Sequence, residues 1–514
     1  MQPYGCLEAT IGMAAEHPTP PPPTYWLTRF VFLRLLGFLY LVGFVIALRQ
    51  FRPLAGEHGL LPAPAFLEAV GDAYGHGPAA FFRLPTIFWL GASDRAFAAA
   101  AWAGIALSSC VVLGLANAPV LAALWFLYMS FVHVGQLFYG YGWEMLLLEA
   151  GFLAIFLCPL LDPRPFPRQT PPSTIVVVLL RWLAFRLMFG AGLIKLRGDP
   201  CWRDLTCMLY HYETQPLPNP LSLYLHFMPV WFHKAEVLFN HFVELVVPWF
   251  VFGPRTLRHL AGALLVAFQV LLILSGNLSF LNWLTIAICL SCFDDGVWAR
   301  VLPAGLRARA ATLAEQAATS PAHRFAERAL AAVIALLSVN PVLNMLSPGQ
   351  VMNATFDPFE LVNTYGAFGS VGRERDEIVL QGTYDADPGP GARWVDYEFK
   401  CKPGDVDRRP CVVSPYHHRL DWQMWFAAMS RPELEPWLLR LVDKLLRGDP
   451  AVLSLMADGP FRRAPPRYIR AELFRYRFAP PGTGGRAWWR RTRLDAWLPP
   501  LSLDSPFIED PRPD

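Results

Sequence analysis

Over its first two thirds the chain alternates apolar runs of membrane-crossing length with connections rich in Gly, Pro and Arg. The first run extends from about Leu27 to Leu48. At 1.5 Å per residue, its roughly 20 residues match a ~30 Å hydrocarbon core. Further runs lie at about Phe97 to Leu115, Pro119 to Phe138, Trp143 to Leu161, Thr174 to Lys195, Ala235 to Phe252, His259 to Leu274, Leu278 to Phe293 and Ala326 to Leu346. The expected count is about nine spans. Residues 49–96 contain half-amphipathic pieces such as PAPAFLEAVGDAYG, too polar to span, and predict a long loop with an interfacial helix.

From about Ser347 the apolar runs shorten and charges crowd in. EIVLQGTYD (Glu377 to Asp385) and RWVDYEFKC (Arg393 to Cys401) alternate as half-buried strands do, and ADPGPGA joins them. The helix-compatible LDWQMWFAAM (Leu420 to Met429) and PELEPWLLRLVDKLLRG (Pro432 to Gly448) follow, then a last strand candidate, RYIRAELFRYRF (Arg467 to Phe478). The pattern predicts a polytopic α-helical membrane protein of about nine transmembrane helices bearing a C-terminal soluble α+β domain. Its expected divisions are a lead-in over 1–26, a multi-pass transmembrane domain over 27–346, the soluble domain over 347–481 and a loosely packed Pro/Arg-rich tail over 482–514. The lead-in carries no Lys or Arg, so it lacks the basic start of a signal peptide, and the first span is expected to stay as an anchor.

Composition supports the membrane reading: 54% of the 514 residues are hydrophobic and 17% charged, against about 25% charged in soluble domains. A net charge of +3 with no basic face sets nucleic acid aside. Three Arg (49, 52, 83) follow the first span and nothing basic precedes it, which places the N-terminus outside and, with nine spans, the C-terminal domain in the cytosol. Arg164, Arg168, Arg300, Arg307 and Arg309 pull the other way.

The nine Cys show no metal-ligand spacing. Cys401 and Cys411 flank KPGDVDRRP, where Pro403-Gly404 turns the chain back, so a disulfide is expected if the domain faces an oxidising compartment, with two unpaired thiols as the alternative. The CLSC segment (Cys289 to Cys292) lies in an apolar helix and reads as small-residue packing.

Charges inside spans need partners. Glu149 and Arg186 each lie about 12 residues from the loop joining spans four and five, hence at similar depth, and are expected to form an intramembrane ion pair that fixes helix packing. His233, Glu236, Asn240 and Glu244 share one helical face, a stripe for a cavity or for hydrogen-bonded packing. With His241 they offer metal-ligating types, but no second helix carries a matching Glu-x-x-His, so neither metal nor cofactor is expected. Lys195 closes span five as a snorkelling residue or, if the chain is an enzyme, a base with His133 as companion. The loop beyond it carries Trp202, Tyr210, His211, Tyr212, Glu213 and Gln215 before three prolines, and is expected to fold back as a lid over a cavity bordered by Lys195 and the polar stripe. Trp422, Trp425 and Phe426 either hold a client or pack on the membrane domain.

Six blocks lie in order along the chain: GDPCWRDLTCMLYHYETQPLPNP (Gly198 to Pro220), NHFVELVVPW (Asn240 to Trp249), GNLSFLNWLT (Gly276 to Thr285), NTYGAFGSV (Asn363 to Val371), YEFKCKPGD (Tyr397 to Asp405) and PYHHRLDWQMWFAAM (Pro415 to Met429). On them the chain resembles the lipase maturation factor family. The resemblance implies a multi-pass endoplasmic reticulum membrane protein with a lumenal C-terminal domain, needed for folding and assembly of secreted lipases. The Ala-, Arg- and Pro-rich composition points to a bacterial host, where the location would be the cytoplasmic membrane. Ala191-Gly192-Leu193-Ile194-Lys195-Leu196 is also similar to a segment of vitamin K-dependent gamma-carboxylases, in which the matching Lys is the base. The expected function is a non-enzymatic membrane factor assisting maturation of secreted or exported proteins, with membrane lipid and such a client as partners. The alternative is a membrane-embedded enzyme acting on lipid, quinone or exported protein through Lys195.

Overall fold

A computed structural model describes residues 23–168, 170–317, 319–482 and 486–509. Most of the 1–26 lead-in, and residues 483–485 and 510–514 of the tail, lie outside the described residues. Each predicted apolar run forms a helix: α1 (Trp26–Ala55), α2 (Asp94–Leu113), α3 (Ala118–Val134), α4 (Gly142–Ile155), α5 (Thr174–Arg197), α6 (Val230–Phe252), α7 (Arg255–Ser275), α8 (Leu281–Cys292) and α9 (Pro321–Leu346). Six of the described helices are long and apolar enough to cross a membrane, which corrects the expectation of nine. The exceptions are α3, α4 and α8. At 14 residues α4 rises only about 21 Å, and it is enclosed by its neighbours. The run counted toward its length continued through Phe156 to Leu161, where the helix has already unwound. The 49–96 connection holds the expected short helix, Ala63–Tyr74.

Local chemistry fixes the helix starts. Ser93, Asn117, Ser173 and Ser320 each accept from a first-turn amide of α2, α3, α5 and α9. Small residues allow α1 and α2 to approach closely: a Cβ added at Gly104 would meet the Phe44 ring at 2.3 Å.

Contacts at the helix ends define two faces. On one, the amides of Trp26 and Leu27 donate to Asp295, Arg29 reaches the Leu157 carbonyl, and Arg255 forks onto Asp294. On the other, Gln50 at the far end of α1 donates to the His417 carbonyl, and Asn277, between α7 and α8, holds the Cys411 carbonyl. The C-terminal domain covers this second face.

That domain is built on an antiparallel sheet of order β2-β1-β3-β4, with β1 (Arg375–Thr383), β2 (Val395–Asp396), β3 (Tyr468–Phe478) and β4 (Trp489–Leu501). The strand expected at Arg393 to Cys401 contributes only two paired residues. Beyond them the chain leaves the sheet to bury Tyr397 and Phe399. Residues 489–501, expected to be a loose extension, instead form the fourth strand: Trp489 stacks on Phe478 at 4.3 Å, and Arg493 pairs with Glu472 across the ladder. Helices α10 (Arg419–Ala427) and α11 (Pro436–Leu446) complete the domain. Apolar residues at helical spacing bury Trp437, Leu438, Leu441, Val442 and Leu445 on one side of α11. A single hydrophobic cluster runs from Phe32 and Tyr40 of α1 through to Trp437 and Leu445.

Candidate functional site: the seam between helices and domain

Polar groups that are costly in an apolar bundle gather where the C-terminal domain meets it. Glu149 of α4 and Arg186 of α5 are both buried and paired. The pair is also a socket for the domain: Glu149 Oε2 accepts from the Tyr365 hydroxyl at 2.7 Å and the Asn363 amide at 3.1 Å, while Arg186 donates to the Asn363 carbonyl at 2.7 Å. Nearer the domain, Glu144 takes Arg419 of α10 at 2.8 Å, along with the Tyr128 hydroxyl and the Trp143 indole N–H. The Arg419 guanidinium lies 3.5 Å over the Tyr139 ring and donates to the Phe138 carbonyl.

Lys195 ends its run as an ion-paired ammonium, 2.5 Å from Glu244 and 3.1 Å from the Asn240 amide oxygen, with Trp202 beneath it at 5.1 Å. Glu244 sits in a π-helical turn, Phe242–Val246, that interrupts α6. In the same stripe, Glu236 receives the Tyr212 hydroxyl and lies 3.1 Å from His233 Nδ1. The stripe is therefore joined to Lys195 and to the loop. His133 is not joined to Lys195: its ring nitrogens face the Pro85 carbonyl at 2.8 Å and Glu360 at 3.7 Å.

The loop after Lys195 folds into short helices, Pro200–Arg203 and Met208–Thr214, clasped between bundle and domain. Its Cys201 and Cys207 form a disulfide. Trp202 donates to the Phe368 carbonyl, Asp199 takes Arg373, and the buried Arg375 of β1 spreads over the carbonyls of Glu213, Gln215 and Pro216. Glu377 and Lys402 continue that network. The Phe478 amide donates to Glu213, whose carboxyl burial pushes upward in pKa; Gln215 donates to the Ser275 carbonyl. Burial, with Lys195 close by, pushes the His211 imidazole down to about 4, and its ring packs edge-on against Phe368. Tyr210 faces Arg373.

Trp422 is buried against Tyr141, Trp143 and His417, and Trp425 donates to the Thr214 carbonyl. These two rings hold the domain down, leaving Phe426 as the exposed member of the trio. Cys401 and Cys411 form a disulfide. Among the described residues no three His, Cys, Asp or Glu side chains gather as metal ligands would.

Sequence reasoning missed Glu144, Arg419, Arg375, Glu377, Asn363 and Tyr365, and the Cys201–Cys207 bond. The available signal was that Asn363, Tyr365 and Arg419 lie inside the NTYGAFGSV and PYHHRLDWQMWFAAM blocks.

The chain matches the descriptions "Lipase maturation factor transmembrane domain" over residues 27–300 and "Lipase maturation factor C-terminal domain" over residues 361–499. It belongs to the lipase maturation factor family. Lipase maturation factor 1 of Bos taurus is 51% identical over 502 residues, covering 93% of this chain and 90% of the relative. The Homo sapiens lipase maturation factor 1 is 48% identical over 511 residues, covering 95% and 90%. Lipase maturation factor 2 of Homo sapiens is 31% identical over 602 residues, covering 94% and 84%. No solved structure matches. These relatives are vertebrate proteins and lend no support to the bacterial host expected from composition. They do not carry the gamma-carboxylase resemblance either. Within the lipase maturation factor architecture, five of the six blocks that first suggested the family supply groups to the seam, and the sixth, NHFVELVVPW, supplies the Lys195 partners Asn240 and Glu244.

Proposed function

We propose that this multi-pass membrane protein assists maturation of secreted lipases without catalysing a reaction, with its C-terminal domain in the lumen of the endoplasmic reticulum. The observation that carries the reading is the match to lipase maturation factor 1 along almost the whole chain, seam included. The orientation is supported by sulfur chemistry. Both disulfides lie on the domain face, whereas two of the four free cysteines among the described residues, Cys158 and Cys292, lie toward the opposite face, beside Arg29 and Arg258. Disulfides persist in oxidising compartments and free thiols in the cytosol. Arg300, Arg307 and Arg309 fall on the same opposite face, where helix Ala304–Gln316 packs under Trp26, as a cytosolic face requires. These observations support the orientation opposite to the one read from the flanks of the first span alone.

The enzyme reading is disfavoured by Lys195 itself, whose nitrogen is committed to Glu244 and Asn240. The test is expression of this chain beside a secreted lipase in cells lacking their own factor of this family. Recovery of secreted active lipase, undiminished when Lys195→Arg replaces the wild type, supports a non-catalytic factor. Recovery abolished by Lys195→Arg with protein abundance unchanged supports the enzyme.

A further inference from the structure

A cavity of about 130 Å³ lies between the domain-face end of α1 and the C-terminal domain, lined by Arg49, Lys400, Tyr416, His418, Asp421 and Ser454. None of these residues belongs to the ion-pair networks of the seam. Arg49 is the first charge after the apolar run of α1, the depth at which headgroup phosphates of the domain-side leaflet lie. It is exposed and forms no ion pair or hydrogen bond among the described residues. Lys400 faces the same space with one hydrogen bond, to the Ser454 carbonyl at 2.6 Å; burial disfavours its charge, Asp421 favours it, and Arg462 and Arg49 repel it. Neither cation is ion-paired among the described residues, and Asp421, the carboxylate lining the cavity, spends one oxygen on two backbone amides, so an oxyanion between the cations completes the arrangement.

Asp421 supplies the second requirement. It is 1% exposed; its Oδ2 accepts the amides of Cys401 and Lys402 at 2.6 and 2.9 Å, and its Oδ1 is buried with no donor in reach. A buried carboxylate oxygen left unpaired is costly, so the occupant must donate a hydrogen bond as well as present negative charge. We propose that this cavity binds the headgroup of a membrane lipid that carries a phosphate and an N–H or O–H donor, as phosphatidylethanolamine does. The phosphate lies between Arg49 and Lys400, and the donor meets Asp421 Oδ1. Phosphatidylcholine has the same phosphate but no donor on its quaternary nitrogen.

The test uses the full chain in detergent, with binding of dihexanoyl phosphatidylethanolamine, dihexanoyl phosphatidylcholine and inorganic phosphate measured by calorimetry. The phosphatidylethanolamine is expected to bind about tenfold more tightly than either competitor, and the R49Q/K400Q variant to lose about tenfold in that affinity with an unchanged melting temperature. Equal binding of the two lipids, phosphate binding as tight as the lipid, or undiminished affinity in R49Q/K400Q would each overturn the proposal.

Discussion

Tyr365 donates its hydroxyl at 2.7 Å to Glu149, so a residue of the C-terminal third completes an ion pair held between two helices of the bundle. The carboxylate has one oxygen for Arg186 and the other for Tyr365 and Asn363. Helix packing and domain docking are thus one network. Arg186→Met alone leaves Glu149 charged and buried, and is expected to cost about 3 to 5 kcal/mol; the double variant with Glu149→Gln should recover much of that loss. Thermal unfolding of the purified variants measures this, and a double variant no better than the single one would show that the charges do not compensate each other.

Arg419 and Glu144 make the same argument nearer the domain. Arg419→Met removes the partner of a fully buried carboxylate and the clamp on the Phe138 carbonyl. The expected outcome is early proteolytic release of the C-terminal domain, because α10 carries Arg419, Gln423 and Trp425 onto the bundle together. Limited proteolysis followed by gel analysis is the measurement. A cleavage rate equal to the wild type would mean that the apolar contacts alone hold the seam.

Glu360 gives the stability a pH dependence with a definite sign. Burial, with Asp357 and Glu144 nearby, pushes its carboxyl up to about 8, and His133 Nε2 stands 3.7 Å away. In the unfolded chain the group ionises near 4.5. Its stabilising contribution is therefore full below that value and falls as pH rises toward 8, by up to about 1.4 kcal/mol per unit. The depressed His211, at about 4, acts oppositely, but its contribution is complete above the ordinary His value of 6.5. Between pH 6.5 and 8 the Glu360 slope stands clear of it. Melting temperature should decline across that window in the wild type and flatten in Glu360→Gln; equal slopes would count against the buried protonated carboxyl.

The helices and the Glu149–Arg186 pair were legible because each follows from one local rule. Hydrophobic runs mark helices, and equal depth on adjacent antiparallel helices marks a pair. Span number was less legible, because α4 ends at Ile155 although its apolar composition continues to Leu161. Arg419 and Arg375 were illegible for a different reason: their partners lie 275 and 162 residues away in sequence, Glu144 and the Glu213 carbonyl, and no periodicity reports contacts at that range. The β4 strand was obscured by Arg, Pro and Asp positions that suit a solvated edge as well as a loop.

Tyr212 tests whether the loop after Lys195 is held by its polar contacts. Its hydroxyl binds Glu236, which also contacts His233, so this one hydroxyl ties the loop to the polar stripe on α6, beside the His241 contact to the Trp202 carbonyl. Tyr212→Phe keeps the ring and removes that donor, leaving Glu236 short of one partner at an expected cost of about 1 to 3 kcal/mol. Glu236→Gln removes the charge, and Tyr212→Phe in that background should then cost less, since the remaining acceptor is neutral and needs the donor less. Replacing His211, Tyr212 and Glu213 together by Ala goes further, because it also strips the Phe478 amide of its carboxylate. That variant should lose both lipase maturation and steady-state abundance, whereas Tyr212→Phe should keep its abundance. Melting curves of the single and double variants, read as a double-mutant cycle, give the coupling, and strict additivity would show that the Tyr212–Glu236 contact contributes nothing to holding the loop.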